Sequence, residues 1–447
     1  MKRREAEGAP GWLQFNAHAA DAPVRGRSPD RPHASARVGD PPQFARIGIV
    51  TPLTFEQARA CVLEKLRQAG VRGQTEMVPL LEAAGRVLAE EVRADRDYPP
   101  RARSIRDGFA VRARDLPGEL RVIGEVRAGE PADFAIGPGE AIEIMTGAPV
   151  PQGADAVLMV EHAERSGEML RTGRQLSPGE FINPGGVEAR AGQVLLPRGL
   201  RIDFAHVNLL AMVGRAEVEV HRRPRVAILA TGDEIVEAHQ TPLAHQIRNS
   251  NTHSLAIQVR RAGGEPVILP VARDTHESLR PLVERGLAAD LLLVSGGVSA
   301  GKYDLVEPAL AALGAEFYFD RVLIQPGQPL VFGRARGTFF FGLPGNPAST
   351  MVTFEISARA AVELLGGQIE PRLRMPSARL TRDFRHQLGL TRFLPAELSA
   401  DGAQVTPLGW RGSSDAPAMA RANAFVVAEA EREEWRAGDW IRILLRN

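Results

Sequence analysis

Residues 295–304 read Ser-Gly-Gly-Val-Ser-Ala-Gly-Lys-Tyr-Asp, and their spacing suggests phosphate chemistry. Gly296 and Gly297 carry no Cβ, so their backbone N–H groups can approach an anion closely. From Gly296 the pattern G-x-x-x-x-G-K matches a P-loop as far as Lys302. That motif then needs Ser or Thr to bind magnesium, and this chain has Tyr303. An acid, Asp304, follows. The stretch therefore reads as a different kind of site. On this reading the Gly296 and Gly297 amides would cradle phosphate and the Asp304 carboxylate would meet a metal ion.

Two other loops share this character. The apolar run "VAILAT" leads into Gly232, Asp233 and Glu234, and "TFFFG" leads into Leu343, Pro344, Gly345, Asn346 and Pro347. Asn346 suits an N-cap and Pro347 a first helical position, so a helix starting there would aim free N–H groups at the loop. Asp274 follows "PVILPVAR". Taken singly, each acid also fits a solvated helix start, because acids favour helix N-termini. Together, Asp233, Glu234, Asp274 and Asp304 favour a site where carboxylates hold a Mg²⁺ that bridges phosphates. The three histidines His239, His245 and His253 are too scattered for zinc. Met159, Met169 and Met212 read as core filler.

Such loops need a scaffold. Between residues 224 and 366, buried-strand runs alternate with helical runs near 250–262, 275–288, 303–313 and 347–365. This alternation predicts a parallel α/β sheet with helices on both faces, and ligands then bind beyond the strands' carboxyl ends. Before it, Thr54 and Gln57 resemble a capping box at the head of an amphipathic helix. "PLLEAAGRVLAEEV" (79–92) suggests a second helix. Short apolar runs broken by Gly and Pro suggest a β-rich lid over about 98–185, after which "EARAGQVLLPRGLRIDFAHVNLLAMVG" (188–214) returns through a turn into a helix. Residues 372–447 read as a small β-barrel or sandwich. Residues 1–50 lack apolar periodicity and read as a disordered extension.

Composition sets limits. The chain has 447 residues, too many for one core, and a net charge of +1, which gives no bulk attraction for nucleic acid. No apolar run approaches the length of a membrane span. Cys61 is the only cysteine, which excludes an intrachain disulfide framework and cysteine-ligated metal centres and suits a cytoplasmic setting. The only lysines are Lys2, Lys65 and Lys302.

The motifs occur in an order that resembles the molybdopterin molybdenumtransferases, the MoeA family that includes the E domains of gephyrin and plant Cnx1. They are "RSIRDGFAV" (103–111), "IMTGAPVPQGADAVLMVE" (144–161), "ATGDEI" (230–235), "SGGVSAGKYD" (295–304), "IQPGQPLVFG" (324–333), "GLPGNPAS" (342–349) and "GSSD" (412–415). The resemblance runs from about Thr51 to the C-terminus. The middle segment alone is less specific, since molybdopterin adenylyltransferases share it. The resemblance implies four parts: an extension at 1–50, a helical and lid region at 51–222, a three-layer molybdopterin-binding domain at 223–370 and a C-terminal β-barrel at 371–447. It also implies a cytoplasmic homodimer that binds adenylylated molybdopterin with Mg²⁺, transfers molybdate to the dithiolene and releases AMP. Transient contacts with the adenylyltransferase and with apo-molybdoenzymes are implied too, with no nucleic-acid or membrane partner.

Carried over residue by residue, the resemblance assigns catalysis to Asp107, Thr146, Glu188 and Asp304. It places the metal at Asp233, Glu234, Asp274 and Asp304. Substrate contacts fall on Gly232, Asp233, Glu234, Gly296, Gly297, Ser299, Gln325, Gln328, Pro344, Gly345 and Asn346. Two departures stand out. The family's K-P-G-K-P is here Gln325-Pro326-Gly327-Gln328-Pro329, so two expected oxyanion-contacting lysines are neutral amides. In "GLTRFLPA" (389–396), Leu390 and Pro395 stand where arginines are usual. Arg392, Arg411 or Arg321 could restore the charge. Adenylyltransferase activity, a tungstate-selective variant and a non-catalytic cofactor scaffold are the alternatives.

Overall fold

The computed structural model describes residues 52–70, 73–129, 131, 133, 135–297 and 304–446. The described chain forms two compact units, one of residues 75–220 and one of residues up to 74 together with 221 onward. The first 51 residues lie outside the description, as do Ser299 and residues 300–303.

The larger unit is built on a six-stranded sheet. Its strand order is Glu265–Ile268, Arg225–Ala230, Leu291–Ser295, Thr338–Leu343, Val331–Ala335 and Glu316–Phe319. The first four strands are parallel. The three inner ones, Arg225–Ala230, Leu291–Ser295 and Thr338–Leu343, are buried on both faces, and their alternate residues feed two cores. Val226, Ile228, Leu291, Leu293, Phe339 and Phe341 pack on one side with the helices Asn251–Arg261 and Pro347–Thr353. Ala227, Leu229, Leu292, Val294 and Phe340 pack on the other, with the helices His276–Gly286 and Val306–Ala312. The result is the expected three-layer α/β/α arrangement.

The parallel expectation fails at one edge. Val331–Ala335 and Thr338–Leu343 form an antiparallel hairpin, and Glu316–Phe319 adds antiparallel beyond it. Arg336 and Gly337 both have positive φ, which gives the two-residue turn that antiparallel strands need. Ile324–Gln325 does not continue the outer strand of this sheet; it pairs in parallel with Thr391–Leu398 of the C-terminal region.

The N-terminal helix Phe55–Gln68 forms as its capping box predicts. Thr54 Oγ1 accepts the Gln57 N–H at 3.2 Å, and Gln57 Oε1 accepts the Thr54 N–H at 2.9 Å. Its buried residues Phe55, Ala58, Val62 and Leu66 join the first core.

The C-terminal region is a closed five-stranded barrel. Thr391–Leu398 pairs with Gln404–Pro407 and, on its other edge, with Ala424–Ala428. Ser377–Leu380 and Trp440–Leu445 complete the ring. Closure removes the free sheet edges. Leu394, Ala396, Val405, Val426 and Ile443 fill the inside, while Phe393 faces out and meets Phe55 edge-on at 5.7 Å.

The 75–220 unit contains a six-stranded curled sheet within residues 108–172 and a short helix at Phe204–Met212. The helix expected over 79–92 is absent. Only a 3₁₀ turn forms at Leu80–Glu82. Gly85 has φ +78°, and Val87 and Leu88 make β-bridges to Arg201 and Val220. Tertiary pairing thus overrides the helical spacing. Met169 and Met212 are exposed rather than core residues.

Phe341 is fully buried and stacks on Phe332 with ring centroids 4.7 Å apart. Phe341→Ala is expected to cost about 3–5 kcal/mol, read as a lower denaturant midpoint with an unchanged m-value. A smaller loss would show that the first core collapses around the void.

Candidate functional site

Because the four strands are parallel, their carboxyl ends lie on one rim. A cavity of about 420 Å³ opens there. Gly232, Glu234, Asp274, Gly296, Gly297, Asp304, Pro344, Gly345 and Asn346 all line it. Asp233 is close by but does not line it. Its carboxylate turns to the Asp274 N–H at 3.3 Å, and its own N–H reaches Asp274 Oδ2 at 3.4 Å. Arg273 donates to the Asp233 carbonyl at 2.9 Å and braces the turn.

The glycines are required by close approach. A Cβ on Gly297, at φ +66°, would lie 2.8 Å from both Thr231 Oγ1 and Val306 Cγ2. One on Gly296, at φ +94°, would lie 2.8 Å from the Thr231 carbonyl oxygen. Gly232 backs directly onto the Glu234 carboxylate. Thr231 itself is buried, and its hydroxyl has no hydrogen-bond partner among the described residues. It lines the cavity, so an unmet hydroxyl sits beneath the glycine loop.

The carboxylates repel one another. Burial raises the Asp274 pKa above the ordinary carboxylate value, and the charges of Asp233, Glu234 and Asp304 add to that rise. A backbone hydrogen bond from Asp233 opposes it. Among the described residues, no three His, Cys, Asp or Glu side chains are placed to hold one ion together. The donors on the wall are all oxygens, which suit a hard cation that takes one or two carboxylates and completes its shell with phosphate and water.

The sequence did not single out Asn251. Its Nδ2 donates to Ser295 Oγ at 2.9 Å and to the Gly345 carbonyl at 2.7 Å. One amide therefore ties the glycine loop to the Pro-Gly-Asn-Pro turn. The available signal was the polar run Asn249-Ser250-Asn251 at a helix start, facing the same rim.

The anion site expected at the Pro347 helix is altered. Asn346 occupies the N-cap position, but its side chain makes no capping bond. Nδ2 instead donates to Ser413 Oγ at 2.9 Å. The Ser413 carbonyl accepts the Ala348 N–H at 3.0 Å. The "GSSD" loop thus satisfies a donor that the sequence reading left free for a ligand. Gln325 and Gln328 are not among the cavity-lining residues, although Pro329 of the same loop is. Gln328 is exposed, and Gln325 is half-buried.

In the 75–220 unit, Asp107 Oδ1 accepts the Thr146 N–H at 2.6 Å. That bond, followed by one from the Thr146 side chain, holds the Asp107 carboxyl below its usual range. Glu188 accepts a hydrogen bond from Asn183 Nδ2 at 3.2 Å. The segments are stitched together: Asn183 pairs with Arg103, and Gly147 N–H bonds the Ser104 carbonyl at 2.8 Å. All three side chains are exposed.

Three family models match the chain in order. The MoeA N-terminal region (domain I and II) matches residues 53–214, a probable molybdopterin binding domain matches 227–364, and the MoeA C-terminal region (domain IV) matches 377–445. A molybdopterin molybdenumtransferase of Bacillus subtilis is 33% identical over 411 residues, covering 88% of this chain and 94% of the relative. The chain belongs to the MoeA family. It is a transferase of molybdenum cofactor biosynthesis. A molybdopterin molybdenumtransferase of Nostoc is 38% identical over 304 residues, covering 66% of this chain and 70% of the relative. A Pyrococcus horikoshii MoeA crystal structure superposes with TM-score 0.76 at 28% identity, over 88% of this chain and all of the other.

Asn251→Ala removes two hydrogen bonds worth about 1 kcal/mol each. Faster amide exchange at Gly296 and around Gly345 is expected, with global unfolding little changed. Unaltered exchange at both loops would mean that they are held by other contacts.

Proposed function

We propose that this chain transfers molybdate to adenylylated molybdopterin, with Mg²⁺-dependent release of AMP. The observation that carries the reading is the rim cavity. It combines a paired-glycine loop, an unmet Thr231 hydroxyl and three wall carboxylates, Glu234, Asp274 and Asp304, within the span matched by the molybdopterin-binding domain model.

The residue roles follow from this chemistry. Gly232, Gly296, Gly297 and Gly345 bring backbone close to the phosphates, Ser299 belongs to the same loop, and Pro344 and Asn346 shape the facing wall. Glu234, Asp274 and Asp304 would hold Mg²⁺, with Asp233 orienting Asp274. The bound ion would offset negative charge on the anhydride as it is cleaved. Hydrolysis of that anhydride uses one water and frees AMP. The terminal phosphate stays on the pterin, and the two dithiolene sulfurs replace oxo ligands of molybdate, which leave as water with the thiol protons. Asp107, Thr146 and Glu188 supply the polar end of the lid. The four-part domain division, a cytoplasmic setting and handover of the product to apo-molybdoenzymes belong to the same proposal. So does a homodimer, supported by Leu81 and Phe204, each 87% exposed.

The replacement of two lysines by Gln325 and Gln328 favours a second reading, in which the chain binds the cofactor without turnover. The two readings separate on one assay. Protein given adenylylated molybdopterin, Mg²⁺ and molybdate should release one AMP per molybdenum inserted, and chelation of Mg²⁺ should abolish the release. Tight pterin binding with no AMP under molybdate or tungstate would favour the scaffold. Asp304→Asn is expected to lower AMP release at least tenfold, because one metal-facing charge is lost, and to raise the Mg²⁺ needed for half-maximal rate. An unchanged Mg²⁺ requirement would remove Asp304 from the metal site.

A further inference from the structure

A second hollow in the larger unit, of about 360 Å³, shares no lining residue with the rim cavity. Three helices, Asn251–Arg261, Pro347–Thr353 and Ala416–Arg421, contribute to it together with Phe425 and Arg446 of the barrel. Ser254, Ile257, Gln258 and Arg261 fall at i, i+3, i+4 and i+7, so one face of the first helix is turned to the hollow. The floor is apolar. Met419 and Phe425 are buried in the first core, Met351 packs against it, and Ile257 is exposed.

Two polar atoms of this wall are left unmet. Gln258 Nε2 donates to the Met351 carbonyl at 3.1 Å and to Glu355 Oε1 at 2.9 Å. Rotating the amide would set its oxygen against two acceptors, so the orientation is fixed. Oε1 is therefore the free end, and it is buried with no partner among the described residues. Ser254 Oγ, one turn away, is buried and unmet as well. Unpaired buried acceptors cost free energy, so a fitting occupant brings donors. Side chains one helical turn apart stand about 5–6 Å apart. N–H groups that face the same way along an extended chain repeat at about 6.7 Å, a close match.

Charge narrows the class further. Glu355, the acid of the wall, is already held by Gln258 and by Arg359 Nη1 at 2.9 Å. Arg446 donates to the Met419 carbonyl, and it pairs with no carboxylate of the described residues. Arg446 and Arg261 are both exposed. The mouth is thus cationic above an apolar floor.

We propose that this groove receives the free carboxyl terminus of a partner protein that ends in a large apolar residue. The carboxylate meets Arg446. The last side chain settles on Met351, Met419 and Phe425, and backbone N–H groups of the tail meet Gln258 Oε1 and Ser254 Oγ. Backbone donors in series with a terminal anion distinguish a chain end from a simple apolar acid, which carries no N–H. The tail would grip two helices whose first residues, Asn251 and Pro347, line the rim cavity. A docked partner is thereby held at the elements that shape the rim. The inference does not depend on the reaction proposed above.

Fluorescence polarisation of the full chain with labelled Ser-Gly-Ser-Gly-Ser-Leu, and with its Phe-ended counterpart, tests this. At least one should bind. Amidating its terminus should weaken binding about tenfold or more, the loss of a charge-assisted bond. Arg446→Gln should weaken it by a similar factor, and Arg446→Lys should restore part. Ile257→Asp should also weaken it, because it sets a like charge on the apolar wall. Both positions are exposed, so melting temperatures should stay at the wild-type value. No binding of either peptide, or equal binding of free and amidated ends, overturns the proposal. So does a destabilised Arg446→Gln with unchanged affinity, which would make the guanidinium structural. Octanoate binding as tightly as the peptide would assign the groove to a small apolar acid and overturn the protein partner. Peptide binding that appears only on dilution, with Ile257→Asp sedimenting as a smaller species than wild type, would assign it to a second copy of the chain and overturn the proposal as well.

Discussion

Burial of the central strands on both faces is the constraint on which the rest depends. The three inner parallel strands alternate their side chains between two cores, so helices must cover both sides. With both faces closed, the strand ends are the open part of that sheet. Parallel direction puts the carboxyl ends on one rim, and the glycine loop, the acids and the Pro-Gly-Asn-Pro turn meet there without any local sequence link. The hairpin at Arg336 and Gly337 adds antiparallel strands at the far edge and leaves that rim intact.

The rim concentrates unfavourable charge. Asp274 feels three other carboxylates, and the Thr231 hydroxyl is buried without a partner among the described residues. Such strain at a cavity wall is typical of a place prepared for a ligand, because the ligand relieves it. Polar ties hold the loops meanwhile. Asn251 joins two of them, and the Ser413 carbonyl closes the helix start that would otherwise present another free donor.

The C-terminal barrel also packs against the elements around the rim. Its "GSSD" loop braces the turn at Asn346, and its inner face carries Arg392 beside Gln325. Both contacts cross from the barrel to the α/β domain within one compact unit. Gln325, one departure from the family's lysine pattern, lies on the short strand that pairs with Thr391–Arg392 of the barrel.

Much was legible in the one-dimensional text. Strand runs bounded by Gly and Pro located the α/β domain, the Thr54–Gln57 box located the first helix, and the ordered motifs pointed to the family. The glycines at 232, 296 and 297 and the acids beside them were readable because their chemistry is written in residue type and local spacing. Other features depended on partners far along the chain. The helical spacing over 79–92 gave way to bridges with Arg201 and Val220, because tertiary pairing outweighed a weak local preference. The role of Ser413 at the Ala348 N–H required the barrel to dock on the central domain. Asn251 mattered only once two distant loops met at its amide. Arg392 stood level with Arg321 and Arg411 in the sequence, and only barrel closure buries it in register with Gln325, since burial and register are properties of the assembled chain and not of any segment of it.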